Sequence, residues 1–374
     1  MRSWNSITLG EVLPFKYGKN LPASKRTHSG EYDVVSSAGI IDSHDTAFTT
    51  EPCIVIGRKG SIGSLTYCPD PVWPTDTTFY VTGTPYCDLR FGYYVLQTLP
   101  LNQMNNDSAV PGLNRNDAES LAFSLPPVSE QKAIAKVLGS LDDKIAGNNK
   151  IISSSQEIVM ALAQKCNTSV LIKTLASKST QTLNPQTLDH QQVLHYSIPA
   201  FDKGHVDIEN AKNIKSSKFQ LNKPCVLVSK LNPRIPRVWS VPTINQSMHA
   251  LASTEFIVLE PINCTSGQLF AAVSQPSLFL QLQAQASGTS NSHQRIRPDD
   301  LSNALVPDTR ELPNNDVELL NSLNLLIECC TQENQTLART RDELLPLLMS
   351  GKITVRDAEE ASAEVGVDKH EVEE

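Results

Sequence analysis

Apolar residues return every three or four positions between Ser129 and Cys166, along a seam of Ile134, Leu138, Leu141, Ile145, Asn148, Ile152, Ser155, Val159, Leu162 and Cys166. Alternating four-and-three spacing sustained over about five heptads marks one side of a helical pair. A single helix cannot bury such a stripe alone. Near the end of the chain Leu320, Leu323, Ile327, Cys330, Asn334, Leu337, Arg341, Leu344 and Leu348 follow the same spacing and predict the partner helix. Residues 138–145 lie over 320–327 at an offset of 182, so the chain reads as a duplication: globule, long helix, globule, long helix.

If the two runs pack antiparallel, facing residue numbers sum to a constant. A sum of 482 sets Ile134 near Leu348, Leu138 near Leu344, Ile145 near Leu337, Ile152 near Cys330 and Val159 near Leu323, with Asn148 opposite Asn334. Two facing amides satisfy each other, whereas a slip of one heptad sets each against an apolar residue at about 1–3 kcal/mol. The register is therefore assigned to Asn148 and Asn334. Leu141 facing Arg341 is the poor match, tolerable where the guanidinium turns toward Asp142 or solvent. Pro346 weakens the last turns and Gly351 caps them.

The stretches before each helix alternate as short strands and loops. In the first, Tyr32 to Val35 reads as a strand, and Cys53 to Ile56 and Ser64 to Tyr67 form a hairpin around Gly57, Gly60 and Gly63. Residues 73–81 read as a further strand, 91–99 as a short helix and 121–127 as a strand stopped by its prolines. The glycine loop lacks the spacing of a nucleotide-binding loop. Its glycines either supply positive φ to the hairpin or let the backbone approach a phosphodiester that Arg58 and Lys59 neutralise. In the second globule 223–229 matches 51–57 at an offset of 172, but a basic run, Lys230-Leu-Asn-Pro-Arg-Ile-Pro-Arg237, replaces the glycines. Residues 287–299 stand where the first half has 108–117 and bring His293, Gln294, Arg295 and Arg297. An arginine in such a loop can fork onto a guanine edge, or it can cap its own domain and pair with Asp299 and Asp300.

With 374 residues, 40% of them hydrophobic, the chain can bury two ordinary cores. The formal charge of −8 looks wrong for a nucleic-acid binder until it is located. Residues 357–374 carry eight acidic side chains against Lys369, a net −7, which leaves −1 for residues 1–356. That segment is expected to be a solvated, mobile tail. Eight cysteines without a C-x-x-C pair favour small buried thiols over disulfides or zinc. No window is long and apolar enough to span a membrane, and the opening residues lack the order of an export signal, so a cytoplasmic protein is expected. The histidines lack H-x-x-x-H spacing, and neither a Gly-x-Ser-x-Gly elbow nor an amino-methylase Asp/Asn-Pro-Pro-Tyr/Phe motif occurs, so no constellation favours an enzyme.

Four stretches occur in a telling order: Ile56-Gly-Arg-Lys-Gly-Ser-Ile-Gly63, Trp73-Pro-Thr-Asp-Thr-Thr78, Val110-Pro-Gly-Leu-Asn-Arg115, and Leu125-Pro-Pro-Val-Ser-Glu-Gln-Lys-Ala-Ile-Ala135 before Leu141-Asp-Asp-Lys-Ile145. In this order they resemble the specificity subunit of type I restriction-modification systems, over residues 1 to about 356. The resemblance implies an α+β fold with a pseudo-two-fold internal repeat. Two target-recognition domains (1–127 and 167–312) are separated by spacer helices (128–166 and 313–351) that form an antiparallel coiled coil, and an acidic tail (352–374) follows. It implies a non-catalytic subunit that reads the two halves of a bipartite, asymmetric target in double-stranded DNA and docks two DNA methyltransferase subunits, with restriction/translocase subunits as further partners. S-adenosylmethionine, ATP and magnesium then belong to those partners, and this chain holds no cofactor and no metal. The candidate DNA-binding residues are Lys19, Arg58, Lys59, Ser61 and Arg115 in the first half. In the second they are Lys230, Arg234, Arg237, His293, Arg295 and Arg297. A coiled-coil adaptor without DNA affinity explains the helices but not the two basic loops, and a stand-alone modifying enzyme needs a cofactor pocket.

At ~1.5 Å per residue a helix of this length spans on the order of 55 Å, more than the ~34–36 Å of a DNA turn, so its length can act as a ruler for the unread gap. Adding a turn of helix is expected to lengthen the recognised gap and leave both half-sites unchanged. Mapping methylated positions in the presence of the methyltransferase checks this, and a changed half-site sequence refutes the ruler.

Overall fold

The computed structural model describes residues 4–104, 112–245, 247–285 and 294–367. It divides into two compact units, Met1–Lys144 with Leu337–Glu374, and Ile145–Thr336. Each unit takes one globule and a stretch of both long helices. The fold is α+β. The helices run Val128–Ala163 and Asn314–Met349. The first stops short of Cys166 because Lys165 and Cys166 turn back to the carbonyls of Leu162 and Ala163, tightening the last turn.

In the first unit a four-stranded sheet runs in the order Lys16–Tyr17, Thr78–Thr82, Cys53–Gly57, Leu65–Cys68. A smaller sheet joins Tyr32–Ser36 to Gly39–His44 and, in parallel, to Trp73–Pro74. The single strand expected over 73–81 is thus two, parted by a turn in which Thr78 N–H returns to the Thr75 carbonyl. Helix Leu89–Thr98, capped by Asp88 accepting from Phe91 N–H at 2.9 Å, buries Phe91, Tyr94, Val95 and Leu96. This face meets the Leu141-Asp-Asp-Lys-Ile145 run of the long helix. Asp142 accepts from Tyr94 Oη at 2.5 Å and from Arg341 Nη1 at 2.6 Å, so one carboxylate ties globule, first helix and second helix. Asp143 takes the fork of Arg90 at 2.6 and 3.0 Å, and Lys144 Nζ donates to the Gly366 carbonyl at 2.6 Å. Burial raises the Tyr94 phenol above its ordinary range, so it stays a donor.

The second unit repeats the plan. Its four-stranded sheet has the order Ala176–Lys178, Phe256–Pro261, Cys225–Ser229, Val238–Val241, matching the first sheet strand for strand. Its second sheet is larger, with five strands, and again contains one parallel pair, Gln192–Tyr196 beside His249–Ala252. Two points fix the direction of the helices here. Lys165 Nζ lies 3.0 Å from Asp316 Oδ2, and Asn148 Nδ2 donates to Asn334 Oδ1 at 3.0 Å, so one helix descends as the other ascends. Asn148 also donates to Glu333 at 2.6 Å, and Asn334 donates to Asn149 at 2.9 Å.

The end of the chain departs from the expected solvated tail. Gly351, at φ 65°, closes the long helix, donating to the Leu348 carbonyl while Lys352 donates to that of Leu347. Thr354 and Asp357 then cap each other at 2.8 and 3.2 Å and start a new helix, Val355–Glu364. The Thr354 N–H and hydroxyl, both donating to it, hold the Asp357 carboxyl below its ordinary range. Small residues Ala358 and Ser362 bury one face of the helix, which is why so acidic a segment can fold. Residues 368–374 lie outside the described residues.

Replacing Asn148 by Leu is expected to cost about 1–3 kcal/mol, because it strands the Asn334 Oδ1 acceptor beside a buried seam. Asn148→Leu with Asn334→Leu is expected to recover most of that loss. Urea denaturation of the wild type and both variants measures it, and equal midpoints for all three contradict a role for the amides in the pairing.

Candidate nucleic-acid interface

In each unit the turn after the central strand is strapped to a loop from much later in the chain. In the first, Arg58 and Lys59 N–H both donate to the Thr77 carbonyl, at 2.9 and 3.0 Å, and the Arg58 carbonyl accepts from Leu113 N–H at 2.9 Å. In the second, Lys230 N–H donates to the Glu255 carbonyl, and the Lys230 carbonyl accepts from Ile296 N–H, both at 2.8 Å. Leu113 and Ile296 are buried, and each precedes the N-cap of a short helix, Arg115–Glu119 or Pro298–Ser302. The strap is made of peptide groups alone. What it presents differs between the halves.

The first strap frames the loop Arg58 to Gly63. Gly60 and Gly63 have φ of 76° and 71°, and a Cβ on Gly63 would lie 2.5 Å from Asn102 N, so the hairpin itself demands glycine there. Arg58 is partly committed: its Nη2 donates to the Asp76 carbonyl at 3.0 Å and the guanidinium lies 5.4 Å from the Tyr17 ring and 5.7 Å from that of Phe79. Lys59 and Ser61 are exposed. Lys19 leaves the adjoining edge strand with its amine 5.6 and 5.7 Å from the Phe48 and Trp73 rings. Arg115 is tied to Glu119 at 3.0 Å, and Glu119 also accepts Phe15 N–H at 2.7 Å, so this arginine braces its own domain.

The second strap brings residues 230–232 beside 294–296 through the Leu231–Arg295 bridge and an Asn232 N–H to Gln294 carbonyl bond of 2.9 Å. Arg234 is exposed and forms no ion pair among the described residues, and Arg297 is exposed at a helix N-cap. Arg295 reaches Glu255 at 3.2 Å. Lys230 donates to the Thr254 carbonyl at 2.6 Å, and burial lowers its amine pKa. Arg237 forms a two-pronged pair with Asp202 at 2.7 and 3.0 Å, which holds the Asp202 carboxyl below its ordinary range. His293 lies outside the described residues.

Sequence reasoning missed one contributor. The Ser36–Gly39 turn abuts the glycine loop, since the Ser37 carbonyl accepts from Ser64 Oγ at 2.6 Å, and beyond it Ile40 stands 59% exposed. The Ser-Ser-Ala-Gly run was the available signal. No helix among the described residues is long and apolar enough to cross a membrane.

Residues 1–154 match the family described as the type I restriction modification DNA specificity domain. The specificity subunit of the type I restriction enzyme EcoprrI from Escherichia coli is 26% identical over 145 residues, 36% of this chain and 35% of that protein. The match therefore spans about a third of that relative's length. The crystal structure of a type I restriction-modification S subunit from M. genitalium shares the fold at a TM-score of 0.59 and 14% identity, covering 92% of this chain and 96% of that one. Residues 1–154 are thus similar to the type I restriction modification DNA specificity domain, and the fold is similar to that of the M. genitalium protein along nearly all of this chain.

Proposed function

We propose that this chain is the DNA sequence-specificity subunit of a type I restriction-modification complex in the cytoplasm. Its target-recognition domains, 1–127 and 167–312, read the two unlike halves of a bipartite target. The observation that carries the reading is the repeated strap: the same backbone frame after the same strand holds a glycine loop with Lys59 in one half and an arginine-rich pair of loops in the other. Unlike side chains on like frames are what reading two different half-sites requires.

Among the candidate contacts the environments suggest a division of labour. Lys59, Arg234 and Arg297 keep their charge exposed for phosphates or base edges, with Lys19, Ser61 and Arg295 beside them. Arg58, Arg115, Lys230 and Arg237 mainly hold the loops in shape. Asn148 and Asn334 set the helix register.

The helices also dock two methyltransferase subunits in this reading. Its support is an apolar flank: Ile151, Ile158, Leu319 and Leu326 are 42, 44, 42 and 41% exposed and hold equivalent heptad positions, which share one side of an antiparallel pair. Bond-making, with S-adenosylmethionine, ATP and magnesium, falls to the partners.

With the methyltransferase present, Arg234→Ala with Arg297→Ala is expected to weaken duplex binding about tenfold or more and to flatten the salt dependence by about two in log–log slope. The half-site read by the first domain is expected to stay the same. Arg237→Met is expected to lower stability by about 1 kcal/mol or less, since Asp202 is half exposed, and to leave the salt slope unchanged. Mobility-shift titrations at several salt concentrations measure both. Wild-type affinity in the double variant would refute the assignment of the second loop pair.

A further inference from the structure

Position 142 of the first unit corresponds to position 324 of the second, at the offset of 182 that aligns the long helices. The two sites have diverged. Asp142 is satisfied by Tyr94 and Arg341, at 2.5 and 2.6 Å. Asn324 is 1% exposed, and neither its amide nitrogen nor its amide oxygen has a hydrogen-bond partner among the described residues. Counted from the helix N-caps Asp88 and Thr265, the place of Tyr94 is taken by Ala271, and at the offset of 182 that of Arg341 is taken by Val159. Both partners have become side chains that cannot hydrogen-bond, while a polar group was kept. A buried amide left this way is costly, so something else must satisfy it.

Asn324 lines a cavity of about 240 Å³ inside the second unit. One wall is aromatic: Trp239 stands edge-on to Tyr196 at 4.8 Å and to Phe201 at 5.6 Å. Polar groups line the remainder. Ser240 Oγ, like Asn324, has no hydrogen-bond partner among the described residues, and Glu328 accepts Thr243 Oγ1 at 2.8 Å while burial raises its carboxyl pKa. Among the described residues no lysine or arginine lines the cavity.

These features select a ligand class. Without a cationic side chain the cavity does not compensate a phosphate, which argues against nucleotides. Aromatic side chains favour a planar body. A carboxamide offers a donor and an acceptor side by side, matching the amine and adjacent ring nitrogen on an adenine edge. The volume lies below the ~300 Å³ at which drug-sized pockets begin, which suits a base or nucleoside. We propose that the second unit binds neutral adenine or adenosine, held by the Asn324 amide against the Trp239 wall. Ser240 and Glu328 take the second amine proton or a ribose hydroxyl. This site is independent of the DNA-reading loops, and its test needs no DNA.

The test is titration of the full chain with adenosine, followed by calorimetry and tryptophan fluorescence. Saturable binding of one equivalent is expected, with AMP and N6,N6-dimethyladenosine each at least tenfold weaker. Asn324→Leu, similar in volume but without the amide, is expected to keep or raise the melting temperature and to lose adenosine binding at least tenfold. Asn324→Asp, which removes the donor, is expected to do the same to binding should the leucine variant not fold. No saturable binding to the wild type overturns the proposal, as does undiminished binding in the variants or AMP binding as tightly as adenosine.

Discussion

A long helix with one apolar stripe is stable in water only when a second helix covers the stripe, and that requirement organises this chain. It forces two segments far apart in sequence to meet, and it makes the polar residues inside the seam decisive, because each must find a partner there. Asn148 finds Asn334 and Glu333. Where the first globule meets the helices, Asp142 plays the corresponding part, joining Tyr94 of the globule to Arg341 of the opposing helix through one carboxylate. A charge taken partly out of water is tolerable when its oxygens are occupied, and here both are.

Duplication supplied the plan twice, and the copies then diverged in side chains more than in backbone. Both four-stranded sheets have the same strand order, and both loop pairs share a backbone hydrogen bond to the carbonyl of residue 58 or 230. The side chains on those frames share little: glycines and Lys59 in one half, Arg234, Arg295 and Arg297 in the other. Among the described residues the second sheet has three strands in one unit and five in the other. Satisfaction of the polar groups at this position diverged as well: half-buried Asp142 has both oxygens bonded, and buried Asn324 has no partner among the described residues.

Much of this was legible in the sequence for a physical reason. A seam of alternating four-and-three spacing kept up over many turns has few other interpretations, and the strands around residues 53–67 and 225–229 announce themselves by apolar runs bounded by glycine or proline. The Leu141-Asp-Asp-Lys-Ile145 run was visible as a motif but not as geometry, since Tyr94, Arg90, Arg341 and Gly366 reach it only in the fold. The same limit governs the basic loops. Nothing local to Arg237 says that Asp202 will hold it, or that Arg58 will lie against Tyr17 and Phe79. The helix at 355–364 was masked by composition. Eight acidic residues drew attention away from the Thr354 to Asp357 capping box that starts it.

The strap between the loops has an evolutionary corollary. Since peptide N–H and C=O groups carry it, exposed neighbours such as Lys59 and Arg297 can change without breaking it, while buried Leu113 and Ile296 stay as its anchors. On the proposed function, a protein built this way can acquire a new address by surface substitution, one half at a time.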